Sequence, residues 1–192
     1  HGLGTAPSMV IIKRRDSAND WRVGSDGLAN YTKHINLNTT AAESDLAAAF
    51  NSTAPTSSVF NVGTSISTNA SSGTFIAYCF ASIKGFSKIG GNYKGNGDSD
   101  GPFVYLGFKP AVIIIKRIDS SGNNWRIHDN KRLGYNGANN ELYPNATGTE
   151  GPDRLDFLSN GIKITTTDAS YNASGGTYIY MAFAESPFVN SN

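Results

Sequence analysis

The sequence predicts an all-β fold: an antiparallel β-sandwich, lectin- or jelly-roll-like, built from two homologous units of about 100 residues. Two β-branched runs each follow a proline and lead into Asp-Ser. They are MVIIKRR, which begins at Met9, and AVIIIKRI, which begins at Ala111. A second motif also occurs twice, because NASSGTFIAYCFA begins at Asn69 and NASGGTYIYMAFA begins 103 residues later, at Asn172. Repeated strand-like runs between turn residues favour a sheet protein over a helical one.

The repeat extends over most of the chain. Pro7 recurs as Pro110, 103 residues later, and Trp21 recurs as Trp125, after one extra residue in the intervening turn. A repeat of this length exceeds that of solenoid units, so we interpret it as a tandem duplication.

The predicted units are residues 1–84 and 85–192, packed as one compact module. Residues 85–108 form a lead-in with a strand of its own, and its equivalent before His1 is missing. The chain opens without an initiator Met, which predicts a fragment or a processed product.

Local patterns place the remaining elements. Ser159–Thr167 contains an Asn-Gly hairpin signal before alternating apolar residues. The strands GTFIAYCFA and GTYIYMAFA carry apolar or small residues on both faces, so both faces are expected to be covered by the core, a loop, the other unit or another subunit. Thr40–Phe50 is the best helix candidate, while its counterpart Asn145–Leu155 contains Gly and Pro and predicts a loop.

Composition excludes several classes of protein. The chain has 192 residues, of which 39% are hydrophobic, so it can bury a core. A net charge of +1 with scattered Lys and Arg argues against nucleic-acid binding, and no apolar run is long enough to cross a membrane. Cys79 is the single cysteine, so no internal disulfide can form.

Candidate catalytic and metal groups are weak. Glycosidases need paired carboxylates, yet the four glutamates are scattered and most aspartates occur in turn contexts. The segment Asn96–Gly101 (NGDSDG) imitates a calcium loop, but Gly107 stands where the bidentate glutamate is required. We therefore predict no enzyme, no metal and no cofactor.

One loop pair carries the candidate binding residues. Aromatic rings can stack on sugar faces and Asn amides can bond sugar hydroxyls, and the stretch YNGANNELYPNATG offers both. An ordinary Asn-rich turn remains the alternative. The candidate glycan- or receptor-binding residues are Tyr135, Asn136, Asn139, Asn140 and Tyr143, with Tyr31 as their first-unit equivalent.

Three stretches carry a resemblance to a known family: HGLGTAPSMVIIKRR, FSKIGGNYKGNGDSDGPFVYLGFKPAVIIIKR and GGTYIYMAFAESPFVN. Over nearly its whole length the chain resembles a repeat-containing domain near the C-terminal part of bacteriophage tail-fibre-like and structural proteins, especially those of marine phages. The resemblance implies a virion surface protein assembled in the host cytoplasm, and it carries over no catalytic residue.

The resulting functional hypothesis is a non-enzymatic virion module for display or host-surface attachment, in a fibre, appendage or decoration. The alternatives are a lectin-like domain with a defined glycan site and a purely structural assembly module. The expected partners are other virion proteins, further copies of the chain in a homo-oligomer such as a trimer, and a host-surface glycan. Nucleic acid and membrane insertion are not expected.

Overall fold

The computed structural model of the chain describes residues 1–132, 136, 140–151 and 155–188. Within them, β-strands dominate and the helices are single turns of four residues, none long or apolar enough to cross a membrane. The elements are β1 (Met9–Arg14), β2 (Arg22–Ser25), β3 (Lys33–Asn36), β4 (Ser44–Asp45), α1 (Ala47–Phe50), α2 (Ile66–Asn69), β5 (Phe75–Phe80), β6 (Ser87–Lys94), β7 (Phe103–Tyr105), β8 (Pro110–Arg117), β9 (Arg126–Asp129), β10 (Leu155–Leu158), β11 (Gly161–Ile164), α3 (Ala169–Asn172) and β12 (Thr177–Ala184).

The strands form three sheets in which neighbouring strands run antiparallel. The first sheet has the order β4-β3-β2-β1-β5, the second β6-β12-β8-β9, and the third β10-β11-β7. The predicted all-β, sandwich-like fold is therefore confirmed. The Asn-Gly hairpin is also present, as β10 and β11 with Leu158 opposite Gly161.

Alternating side chains connect the sheets into layers. Met9 and Ile11 of β1 belong to the same core cluster as Ile179 and Met181 of β12, which joins the first sheet to the second. The opposite face of β1 packs under residues 46–62, and the opposite face of β12 packs on the third sheet. Strands β1 and β12 can be apolar on both faces because both faces are covered.

The two halves of the chain pair their strands in the same way. In the first sheet Met9 lies opposite Phe80, and 103 residues later Val112 lies opposite Phe183 in the second sheet. Polar contacts recur at the same spacing. The ion pair Arg14–Asp16 recurs as Arg117–Asp119, and each is 2.9 Å long. The Asp16 carboxylate also accepts a hydrogen bond from Thr74 N, as the Asp119 carboxylate does from Thr177 N. These contacts are what the predicted duplication requires, while common ancestry of the halves stays a prediction.

The predicted helix Thr40–Phe50 is mostly wrong. Only Ala47–Phe50 is helical, because Ser44 and Asp45 pair with β3 as a short strand. Leu46 at the helix start makes no side-chain cap, and Asn51 adopts a left-handed conformation that ends the helix after one turn. Strand pairing therefore overrides the helix propensity of the alanines.

For β5, the described residues cover one face of GTFIAYCFA and leave the other exposed, so cover of that second face by another subunit stays a prediction. Phe75 and Cys79 pack against the core under residues 46–62, whereas Ile76 and Tyr78 are 38% and 41% exposed. The reason is the position of β5 at the end of the first sheet, where β1 is its single neighbour among the described strands.

Candidate functional site

The structure assigns Tyr31 to the core and not to a binding loop. Its side chain is buried, its hydroxyl donates to Asp26 Oδ1 at 2.9 Å, and its ring meets the Phe50 ring edge-on at 6.3 Å. Burial raises the pKa of Tyr31 well above its ordinary value, with the Asp26 carboxylate adding to the shift. A ring enclosed in this way cannot stack on a sugar, so this predicted site residue is wrong.

Two of the three candidate asparagines of the second unit, Asn136 and Asn140, bond to their own chain. Asn136 Nδ2 donates to Phe157 O at 2.7 Å, and Asn136 Oδ1 accepts from Phe157 N at 2.7 Å, which imitates a strand pairing beside β10. Asn140 Nδ2 donates to Glu150 Oε2 at 2.9 Å. Tyr135 and Asn139 lie outside the described residues. The amides of Asn136 and Asn140 are therefore engaged within the chain.

Tyr143 joins a cluster of polar side chains around Glu141, which is buried. Glu141 accepts hydrogen bonds from Arg126 Nη1 and from the Tyr143 hydroxyl, each at 2.6 Å, and from the Tyr171 hydroxyl. The Arg126 guanidinium also lies 4.6 Å from the centre of the Tyr143 ring. These contacts occupy one face of the Tyr143 ring and its hydroxyl. The cluster therefore connects β9 to the loop that follows it.

A different surface presents aromatic rings to solvent. Phe103 and Tyr105 are 46% and 59% exposed, and they lie on the same face of β7 because they are two residues apart. Lys163 lies opposite Phe103 and Gly161 lies opposite Tyr105 on β11. We call these four residues, together with the neighbouring Lys88, the β7 surface.

Glycine at position 161 allows the backbone of β7 and the Phe103 ring to approach β11 closely. A Cβ atom there would collide with Val104 O and would lie 3.0 Å from two Phe103 ring atoms. Lys163 Nζ pairs with Asp100 Oδ1 at 2.5 Å at one end of the surface. The rings therefore rest on regular β-structure, which is a more rigid support than a loop.

A groove of about 320 Å³ runs beside Tyr105. Lys88 Nζ lies 5.5 Å from the centre of the Tyr105 ring and donates to Tyr105 O at 2.9 Å. Lys84 also lies in the groove wall, and none of the described residues that line the groove is acidic. A smaller cavity of about 240 Å³ adjoins it at Gly107 and contains the Lys109–Glu185 ion pair.

This arrangement can hold a ring-shaped polar molecule. The exposed faces of Phe103 and Tyr105 offer stacking area, and the ammonium of Lys88 offers a charged donor within reach of a molecule on Tyr105. Within the described ranges, no three His, Cys, Asp or Glu side chains group closely enough to hold a metal ion.

The family model described as a domain of unknown function, DUF7483, matches residues 1–187. The chain belongs to the DUF7483 family. No curated protein and no solved structure matches it.

Sequence reasoning missed the β7 surface of this DUF7483 domain because it searched for aromatic residues mixed with asparagine. The useful signal was present in the lead-in, where Phe103 and Tyr105 alternate around the buried Val104. Alternating aromatic residues on a short edge strand place large rings on a single face, and that face is solvated when the inner face packs on the core.

Proposed function

We propose that this chain is a non-enzymatic virion surface module that attaches to acidic glycans of a host cell through the β7 surface. The observation that carries the proposal is the pair of exposed rings on β7, flanked by Lys88 and by the groove that Lys84 lines. Its association with a virion rests on the sequence resemblance to phage tail-fibre-like and structural proteins.

The chemistry of the surface favours a sugar with a carboxylate. A pyranose ring can place its apolar face on Tyr105 while its carboxylate meets Lys88 or Lys84. A single site of this kind is weak, since stacking and solvent-exposed hydrogen bonds leave a binding free energy near −4 kcal/mol, or a Kd of about 1 mM. A homo-oligomer, such as a trimer, overcomes this weakness by presenting several copies together.

The experiment compares retention of the oligomer on immobilised alginate, a polymer of uronic acids, with retention on neutral dextran. The variants Phe103→Ala and Tyr105→Ala are expected to lose most alginate retention, while Val59→Ala, which truncates another exposed apolar side chain, retains it. Equal retention of all variants would remove the β7 surface from the binding site. Release of new reducing ends from either polymer would contradict the non-enzymatic assignment.

A purely structural role in assembly is the second candidate function. It is favoured by Ile76 and Tyr78, which lie on the unprotected end strand of the first sheet. An interface between virion proteins would cover these side chains. An assembly contact at β5 would leave the β7 surface free, because the β7 surface belongs to another sheet.

A further inference from the structure

Among the strands that the structure describes, β5 lacks the second neighbour that its counterpart β12 has. β5 pairs with β1 in the register that β12 makes with β8, yet β12 is also paired along its other side with β6. The chain thus contains the same strand pair twice. The pair β8–β12 is extended by β6, and we call this three-strand arrangement the completed version, whereas the pair β1–β5 has no third described strand beside β5. The completed version shows which side chains fit beside β5.

The side chains of β5 are more exposed than their counterparts on β12, in keeping with the missing neighbour. Ile179 is fully buried and Met181 is 8% exposed on β12, whereas their counterparts Ile76 and Tyr78 are 38% and 41% exposed on β5. Trp21 extends this apolar area by stacking on Tyr78 at 6.4 Å. In the second sheet, Ile89 of β6 lies opposite Met181 and is buried in the same core cluster. A strand beside β5 would cover Tyr78 in the same manner.

The backbone of β5 is oriented to accept such a strand. The carbonyls of Thr74 and Phe80 accept hydrogen bonds from the β1 side, at 2.8 Å each. Since bonding direction alternates along an antiparallel strand, Phe75, Ala77 and Cys79 direct their N–H and C=O groups away from β1. The counterparts of these residues on β12 face β6, with Tyr178 opposite Tyr93 and Tyr180 opposite Gly91.

The edge also lacks protection against pairing. Edge strands are usually guarded by charged residues, proline or a bulge. β5 reads FIAYCF, with no charge and no proline, and its six residues pair with β1 without a register shift. A regular apolar edge of this length is suited to strand addition.

We propose that the free edge of β5 binds, antiparallel, an extended segment of another polypeptide with the chemistry of β6. That segment places an aliphatic side chain opposite Tyr78, a small residue opposite Ala77 and an aromatic residue opposite Phe75. The aromatic position follows from the completed version, where Tyr93 and Tyr178 stack at 4.8 Å. β6 of the same chain cannot serve as this segment, because it is already paired with β12.

The test uses the 192-residue chain and a fluorescent peptide that copies residues 86–97, FSKIGGNYKGNG. Fluorescence anisotropy is expected to show saturable binding, and the same peptide carrying Tyr93→Pro is expected to bind about tenfold or more weakly, since it lacks a ladder N–H. Hydrogen exchange is expected to show new protection on β5 and none on β12. A peptide that does not saturate, that binds equally with Tyr93→Pro, or that protects β12 would overturn the proposal.

Two protein variants test the same edge. Ala77→Pro removes an N–H that points away from β1, and Ile76→Lys places a charge on an exposed side chain; each is expected to weaken peptide binding about tenfold or more. If Ala77→Pro does not fold, Ile76→Lys carries the test, because its position is already solvated. Phe103→Ala is the control that should bind the peptide normally.

Sedimentation distinguishes a second copy of the chain as the occupant. A dimer that Ile76→Lys abolishes, without binding of the peptide, would show that two β5 edges pair with each other and would overturn the proposal. Since Phe103→Ala affects alginate retention and Ile76→Lys affects peptide binding, failure of either proposal is visible separately.

Discussion

His128 and Tyr171 form a buried hydrogen bond, with 2.8 Å between His128 Nε2 and the Tyr171 hydroxyl oxygen. The Tyr171 hydroxyl donates to Glu141, so its oxygen accepts the proton of His128 Nε2. His128 Nδ1 then keeps its lone pair and has no protein partner among the described residues. The geometry therefore holds this imidazole neutral.

A pH-dependent loss of stability follows from this neutral histidine. Burial, followed by the nearby Arg126 and Arg132 charges, lowers the pKa of His128 to about 4 against the opposing effect of Asp129. Its folded-state pKa is thus below its unfolded value of about 6.5, so its stabilising contribution is complete above pH 6.5 and is lost as the pH falls toward 4. The contribution amounts to about 3 kcal/mol at most.

Urea denaturation of the wild type and of His128→Gln at several pH values measures this effect. The difference between their unfolding free energies should change by about 3 kcal/mol or less between pH 7 and pH 4, with the wild type losing more. The carboxylates and the other histidines contribute equally to the pH dependence of the unfolding free energy in both proteins. A constant difference over this range would show that His128 titrates in the folded protein as it does in the unfolded one.

Glu141→Gln should destabilise the fold strongly. The substitution leaves the Arg126 guanidinium without its carboxylate in a buried setting, which costs about 3–5 kcal/mol. Glu150→Gln is the matched control on the same loop, because Glu150 is 46% exposed and its pairing with Arg132 at 3.1 Å contributes less than about 1 kcal/mol. Equal losses in unfolding free energy would contradict a structural role for the Glu141 cluster.

The two tryptophans of the repeat should differ in their contribution to stability. Trp125 is buried between the first and second sheets and donates from Nε1 to Asn36 O at 2.9 Å, so Trp125→Ala should cost about 3–5 kcal/mol. Trp21 is half-buried beside the exposed Tyr78, and Trp21→Ala should cost less than half as much. Chemical denaturation of both variants gives the comparison, and the reverse order would contradict the assigned packing.

The strands were predictable because their residues carry the signal locally. The β-branched run of β1, the Asn-Gly turn after β10 and the repeat spacing each restrict the backbone within a few residues. The short strand at Ser44 was not predictable, since its pairing with His34 is a non-local contact that competes with the helix propensity of nearby alanines.

The candidate site could be predicted less well, because exposure depends on what the rest of the chain covers. Tyr31 and Tyr105 both follow Gly-containing segments, yet the first is enclosed against Phe50 and the second projects from an edge strand. The same limit applies to β5 and β12, whose 13-residue motifs share eight residues and whose exposures differ with the presence of β6. Sequence similarity between two strands does not specify their neighbours.

Gly91 should be required for stability while Tyr180 lies against it on the neighbouring strand, and should be dispensable once the Tyr180 ring is removed by substitution. A Cβ atom at position 91 would collide with the Tyr180 hydroxyl, so Gly91→Ala should lower the unfolding free energy by about 1–3 kcal/mol. Tyr180→Ala replaces the ring with the side chain that β5 carries at Ala77, its counterpart. The double variant should therefore show a favourable coupling in a double-mutant cycle, with Gly91→Ala costing little in that background. Denaturation of the four proteins measures the coupling, and additive losses would mean that Gly91 is needed for its backbone and not for the ring above it.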